Sequence, residues 1–141
     1  MMDEVALVVS GADEGLRERL DTEINAFNVA ATGYADGRLL CIAARRDGGD
    51  LCAGLSGWTW GGCGYIEYLW VRDDHRGSGL GSRLLAAAEH EARHRGCDQM
   101  ALSTHSLQAP GFYARLGYQE CGRTPGYPRG YDQIHLVKRL S

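Results

Sequence analysis

The chain has 141 residues, a net charge of −3, 44% apolar residues, and 20 glycines against 3 prolines. That length suits one domain covering residues 1–141, and such a domain buries roughly two-thirds of its unfolded surface without a metal or disulfide staple. The acidic balance disfavours nucleic acid as a partner, because phosphate binding relies on clustered positive charge.

In chain order, Val5–Ser10 reads as a short strand, and Glu14–Phe27 as a helix with Leu16, Leu20, Ile24 and Phe27 at helical spacing and Asp13 as N-cap. Arg38–Arg46 is a β-type run, Asp47–Asp50 a turn, and Leu51–Trp60 the answering strand. Gly61–Gly64 turns the chain again into Tyr65–Val71, which is rich in aromatic and β-branched residues. A helix is expected from Gly79 to Arg95, ended by Gly96, with Leu80, Leu84, Ala87, Ala88 and Ala92 on one face and Arg83, Glu89, His90 and Arg93 elsewhere. Asp98–Thr104 follows as a strand, Ala109–Leu116 as a short helix with Pro110 in its first turn, and Gly117–Arg123 and Tyr131–Arg139 as closing strands. This pattern predicts an α/β domain with a mixed sheet.

The longest apolar run, Leu39–Ala44, is far shorter than the ~20 residues of a membrane span. The start Met1-Met2-Asp3-Glu4 is acidic where a secretory leader is basic, so a cytoplasmic protein is expected. Cysteines 41, 52, 63, 97 and 121 form no CxxC pair, and Cys41, Cys52 and Cys97 lie in apolar contexts, where reduced, buried thiols are expected. His90-Glu91-Ala92-Arg93-His94 spells the HExxH zinc pattern on a helix. No third ligand follows at a suitable spacing and Gly96 ends the helix, so no metal is expected.

Glycine, 20 of 141 residues, is about twice as common as the ~7% average. Part of the excess falls in Arg76-Gly77-Ser78-Gly79-Leu80-Gly81, between the strand Tyr65–Val71 and the next helix. Strand, glycine loop and helix N-terminus together form an anion site, because bare amides and the helix dipole point at one place. A Walker A loop would need Lys-[Ser/Thr] after its second glycine, and a dinucleotide loop would need G-x-G-x-x-G; neither is present.

Arg76, Gly79 and Gly81 do fit the acetyl-CoA signature [Gln/Arg]-x-x-Gly-x-[Gly/Ala]. With the flanking Leu69–Val71 and Ser82–Leu85, the stretch resembles the GNAT superfamily of N-acetyltransferases. A second block, Ala109-Pro-Gly-Phe112-Tyr113-Ala-Arg-Leu116-Gly117-Tyr118, is similar to that family's Ala-x-x-Phe-Tyr-x-x-Leu-Gly-[Phe/Tyr] segment. The resemblance covers roughly residues 38–139 and is weaker before them.

The resemblance implies a mostly antiparallel central sheet with flanking helices and an acetyl-CoA-dependent transfer to a primary amine. It implies that the pyrophosphate of acetyl-CoA lies on the amides of Gly77, Ser78, Gly79, Leu80, Gly81 and Ser82 beside Arg76, with pantetheine along Leu69, Trp70 and Val71. Ser106 stands where many relatives have Asn, and Tyr131 where small relatives often have His. Tyr113 matches the general acid, since a phenol near pKa ~10 can protonate a thiolate whose conjugate acid is near ~8.5. Glu67, two residues before Leu69 and therefore on the same face of a regular strand, is the candidate base. Phe27, Asn28, Glu67, His105 and Tyr131 are the expected acceptor contacts, and acids at Asp21, Glu23 and Glu67 favour a small cationic amine. Protein N-termini or lysines, a non-catalytic acyl-CoA-binding module, and a homodimer using Trp58, Trp60 or Tyr127 stay open at this point.

Overall fold

A computed structural model of the chain describes residues 4–141, which group into two compact units divided between Tyr34 and Ala35. In the first unit, helix α1 (Glu14–Thr32) starts where Asp13 Oδ1 accepts the Leu16 amide at 3.0 Å. It ends at Gly33, whose φ of 78° only glycine adopts without strain. The helix thus runs five residues past Phe27, because nothing before Gly33 stops it. The expected strand Val5–Ser10 is instead irregular. A strand must hydrogen-bond to another strand, and the described residues of this unit contain none.

The second unit is a six-stranded sheet in the order β1-β2-β3-β4-β6-β5. Its strands are β1 (Arg38–Arg45), β2 (Leu51–Trp60), β3 (Cys63–Val71), β4 (Gln99–His105), β5 (Gln119–Pro125) and β6 (Asp132–Arg139). All neighbours are antiparallel except β3 and β4, which helix α2 (Leu80–His94) connects as a parallel crossover. Helix α3 (Pro110–Arg115) joins β4 to β5. Leu85, Ala88 and Ala92 of α2 enter one core cluster with Leu40, Leu55, Ile66, Met100, Leu102, Ile134 and Leu136. Along β4 this leaves Met100, Leu102 and Thr104 buried, while Ala101, Ser103 and His105 face the other way.

Two irregularities break the regular sheet. Between Ser56 and Gly57 the β2–β3 register slips, because Ser56 pairs with Tyr68 and Gly57 with Ile66, leaving Glu67 as an extra residue. The parallel β3–β4 ladder also runs only from Cys63 with Gln99 to Ile66 with Leu102. Beyond Ile66 the two strands separate. Gly57 fits this point because a Cβ there would run into the Tyr65 carbonyl and lie 3.1 Å from the Ile66 Cα.

Three expectations change in the tertiary structure. Glu89 is only 6% exposed: its carboxylate takes Lys138 Nζ at 2.8 Å and the Tyr118 hydroxyl at 2.9 Å, which makes burial of the charge tolerable. Gly64 is a buried position of β3, not a turn residue, and a Cβ there would collide with the Met100 sulfur. Cys41 is exposed, since it falls on the outward side of β1 while its neighbour Leu40 is buried; all five cysteines are free. No helix among the described residues is long and apolar enough to cross a membrane.

Candidate active site

The split between β3 and β4 opens a cavity of about 820 Å³, within the usual size of small-molecule sites. Its walls are β3 from Ile66 to Val71, β4 from Leu102 to Thr104, the loop and first turn of α2, and α3 with the residues just before it. Between Glu67 and Val71, β3 keeps β2 on one edge and has no strand on the other. The amides and carbonyls that this edge leaves open, the Val71 carbonyl excepted, can pair with an extended ligand as another strand would.

Of the residues singled out in the sequence, Glu67, Leu69, Trp70, Val71, Arg76, Gly77, Gly79, Leu80, Gly81, Ser82 and Tyr113 line this cavity. Gly77 and Gly79 have φ of 78° and 81°, and a Cβ at either would meet nothing within 4 Å, so these two loop glycines serve backbone conformation and an open approach. Gly81 differs. It lies inside α2, where a Cβ would come within 3.3 Å of the Phe112 ring, so its small size lets α2 and α3 pack closely.

Helix α2 begins without a side-chain cap and without an acid in its first turn. The first amide tied back into the helix is that of Arg83, to the Gly79 carbonyl at 3.0 Å, which leaves the Leu80, Gly81 and Ser82 amides for a ligand. Arg76 is held at the loop by Asp73 Oδ1 at 3.0 Å and the Val71 carbonyl at 3.2 Å. The His75 Nε2 is buried without a hydrogen-bond partner, 3.9 Å from Asp74 Oδ1, and its residue lines the cavity. An anion here would meet free amides and a guanidinium, with the unpartnered His75 ring nitrogen beside them. Glu67 is the only carboxylate among the described lining residues.

Tyr113 stacks edge-on against Phe112 at 5.0 Å and Tyr118 at 5.9 Å. Burial pushes its phenol above the usual value, so it stays protonated at neutral pH. Tyr118 is raised further, by burial and then by the adjacent Glu89 carboxylate.

Other expected residues are engaged elsewhere. The Ser78 hydroxyl donates to the His75 carbonyl, and Ser106 Oγ accepts the Asp132 amide at 2.9 Å, fixing the start of β6. The His105 Nδ1 is 2.9 Å from the Tyr127 carbonyl; since a carbonyl only accepts, that nitrogen carries the proton, and the ring anchors the 125–131 loop. Tyr131 closes that loop through its amide to the Pro128 carbonyl at 2.8 Å. Phe27, 70% exposed, and Asn28 lie on α1 in the first unit. The face shared by Glu67 and Leu69 in a regular strand does not survive the extra residue. Gly64 and Ile66 are buried before it, whereas Leu69 and Val71 are the half-buried positions after it.

The structure adds residues that the sequence pattern does not mark. Gln108 lines the cavity with its amide oxygen fixed by the Thr104 hydroxyl at 2.9 Å and the His105 amide at 3.0 Å, which turns its NH2 group free for a ligand. Arg115 and Ser103 also line the cavity. Gly57 was the one readable signal, as a glycine inside a strand marks a bulge or a close approach.

Comparison with known proteins gives the family and the fold. A family model, the acetyltransferase (GNAT) family, matches residues 10–118. The chain belongs to the GNAT family of acetyltransferases. The match begins before the region where the sequence blocks resemble the family, and it takes in α1. Blasticidin-S acetyltransferase of Streptomyces morookaense is 45% identical over 96 residues, covering 65% of this chain and 68% of that protein. The crystal structure of an acetyltransferase from Bacillus cereus superposes with a TM-score of 0.81 at 26% identity, over 95% of this chain and 98% of its own. The same fold occurs in an aminoglycoside 6′-N-acetyltransferase complexed with coenzyme A, with a TM-score of 0.67 at 19% identity over 74% of each chain. This chain is accordingly an acetyltransferase with the mixed α/β GNAT fold.

Proposed function

We propose that this acetyltransferase moves the acetyl group of acetyl-CoA to a primary amine of a small cationic molecule by direct attack. The observation that carries this reading is the β3–β4 split, which gathers free α2 amides, Arg76, Tyr113 and Glu67 into one lining. The diphosphate of acetyl-CoA would lie on the Leu80–Ser82 amides with Arg76 and His75 beside it, and pantetheine would pair with the open edge of β3. A β3 amide would then donate to the thioester oxygen as charge develops there.

The amine nitrogen forms the new C–N bond at the thioester carbon and the C–S bond breaks. The CoA thiolate takes the Tyr113 hydroxyl proton, and Tyr113 is restored by the second proton that the nitrogen loses once the C–N bond has formed. Overall, acetyl thioester and ammonium give amide, thiol and one released proton. Glu67, exposed at the split, draws the cationic acceptor to the carbonyl. A small-molecule acceptor is supported by similarity to an enzyme named for blasticidin S.

Thiol release from acetyl-CoA, followed across a panel of small amines, peptide N-termini and peptide lysines, tests the reading. Turnover with small cationic amines, with the N-acetyl product identified by mass spectrometry, is expected. Turnover with peptides alone would move the acceptor class. CoA binding with no turnover for any amine would leave a binding module.

A further inference from the structure

We propose that Ser103, His135 and Thr124 form an exit for the proton released by the acceptor amine. The proposal rests on the reading of the β3–β4 split as the site of transfer. Ser103 is the first β4 residue beyond Leu102, where pairing with β3 stops, and it lines the cavity. Its Oγ lies 2.9 Å from His135 Nδ1 on β6, and His135 Nε2 lies 3.4 Å from Thr124 Oγ1 on β5. From the other side, the Tyr65 hydroxyl on β3 donates to Ser103 Oγ at 3.4 Å. The groups form a row across four adjacent strands, running from the cavity wall to an exposed threonine.

The direction of this row follows from its donors. Because Tyr65 donates into Ser103, the serine proton is free to point at His135 Nδ1, which accepts it. The neutral ring then carries its own proton on Nε2, facing Thr124. Every link can therefore pass a proton the same way. The amine proton arrives on Ser103 Oγ, the serine proton moves to Nδ1, and the Nε2 proton leaves through Thr124 Oγ1 to water. No charge is left behind; the ring ends with its proton on Nδ1 and returns to the starting tautomer by exchange with water, so one proton leaves per acetyl transfer. An imidazole suits this task because one ring nitrogen can accept a proton while the other gives one up.

The surroundings leave the ring free to do so. The titratable groups on the two flanking strands are His105 on β4 and Glu120, Cys121 and Arg123 on β5, with Tyr65 on β3 one strand further away. His105 is held by the Tyr127 carbonyl, and the Cys121 thiol donates to the His135 carbonyl rather than to its ring. The nearby guanidinium of Arg123 is taken by Glu120 and Asp132. Gly122 lies opposite His135, and a Cβ there would come within 3.8 Å of the ring.

The test compares wild type with Ser103→Ala, Ser103→Thr and His135→Gln, using an amine that wild type acetylates. Profiles of kcat/KM against pH are recorded, with CoA affinity from calorimetry as the control for folding. Ser103→Ala and His135→Gln are expected to lower kcat by about 10²-fold at neutral pH and to change the shape of the pH profile, with CoA affinity unchanged. Ser103→Thr, which keeps the hydroxyl, is expected to keep the wild-type profile. Wild-type rates and profile in Ser103→Ala would overturn the exit while leaving the transfer reaction standing, and this variant decides alone if His135→Gln fails to bind CoA. Absence of turnover by wild type itself would instead remove the reading on which the exit rests.

Discussion

Tyr113 shows how a side chain's neighbours set its chemistry. Its ring is packed edge-on between Phe112 and Tyr118, and burial holds the phenol above its usual pKa. At neutral pH it is therefore a proton donor and not a phenolate. Tyr113→Phe keeps the packing and removes only the hydroxyl. We expect kcat to fall by about 10²-fold or more while CoA affinity in calorimetry stays within about twofold. An unchanged kcat would take the acid role away from Tyr113. The identity of this residue was legible in the sequence from the Phe112-Tyr113 block. The partners of Ser103 and His135 were not, because 31 intervening residues separate them and only the β4–β6 pairing brings them together.

Among elements, β3 carries most of the functional consequence. Its first four residues pair with β4 and its last five do not, so one strand is part sheet and part open edge. The change coincides with the extra residue at Glu67, where Gly57 lets the β2 backbone come close to β3. Gly57→Ala would push a methyl group into the Tyr65 carbonyl and force the bulge to move. A stability loss of about 1–3 kcal/mol in urea unfolding is expected, together with weaker acetyl-CoA binding. Gly54→Ala, whose Cβ would make ordinary contact at 3.5 Å with the Ile42 carbonyl, serves as the control and should leave both nearly unchanged. Equal behaviour of the two variants would separate the bulge from the cleft. The strands and helices of residues 38–139 were largely readable from periodicity and turn residues. The bulge was not, since alternation alone assumes a regular strand and placed Glu67 and Leu69 on one face.

At the scale of the whole molecule, titration sets where the fold is stable. Tyr113, Tyr118, Cys63 and Cys97 all have raised pKa values, with burial as the leading cause. For such groups the stabilisation is complete below the unfolded-state values, near ~8.5 for cysteine and ~10 for tyrosine, and is lost as pH rises beyond them. Asp74, Glu91 and Glu120 are shifted the other way, each first by a hydrogen bond from an arginine. Their stabilisation is present above the usual carboxylate range and fades as pH falls through the lowered values; the Asp74 and Glu120 pairs, being largely exposed, contribute little. Urea midpoints should therefore be flat between about pH 6 and 8 and fall more steeply on the alkaline side. Tyr118→Phe should make the alkaline fall shallower, and an identical slope in that variant would exclude Tyr118 as its source.

The glycine excess marks the line between what the sequence determines and what the fold decides. Arg76, Gly77, Gly79 and the Phe112-Tyr113 block point to the family from the sequence, and the loop proposed to take acetyl-CoA is visible there because a loop and the helix turn after it are contiguous in the chain. Gly57, Gly64 and Gly81 looked like more of the same residue type, yet each is required by a backbone or side chain distant in sequence: Tyr65, Met100 and Phe112. The burial of Glu89 beside Lys138 and Tyr118, the parting of β3 from β4, and the row from Ser103 to Thr124 are of this second kind. They depend on strand order and register, which set which residues meet across the sheet and which local patterning leaves open.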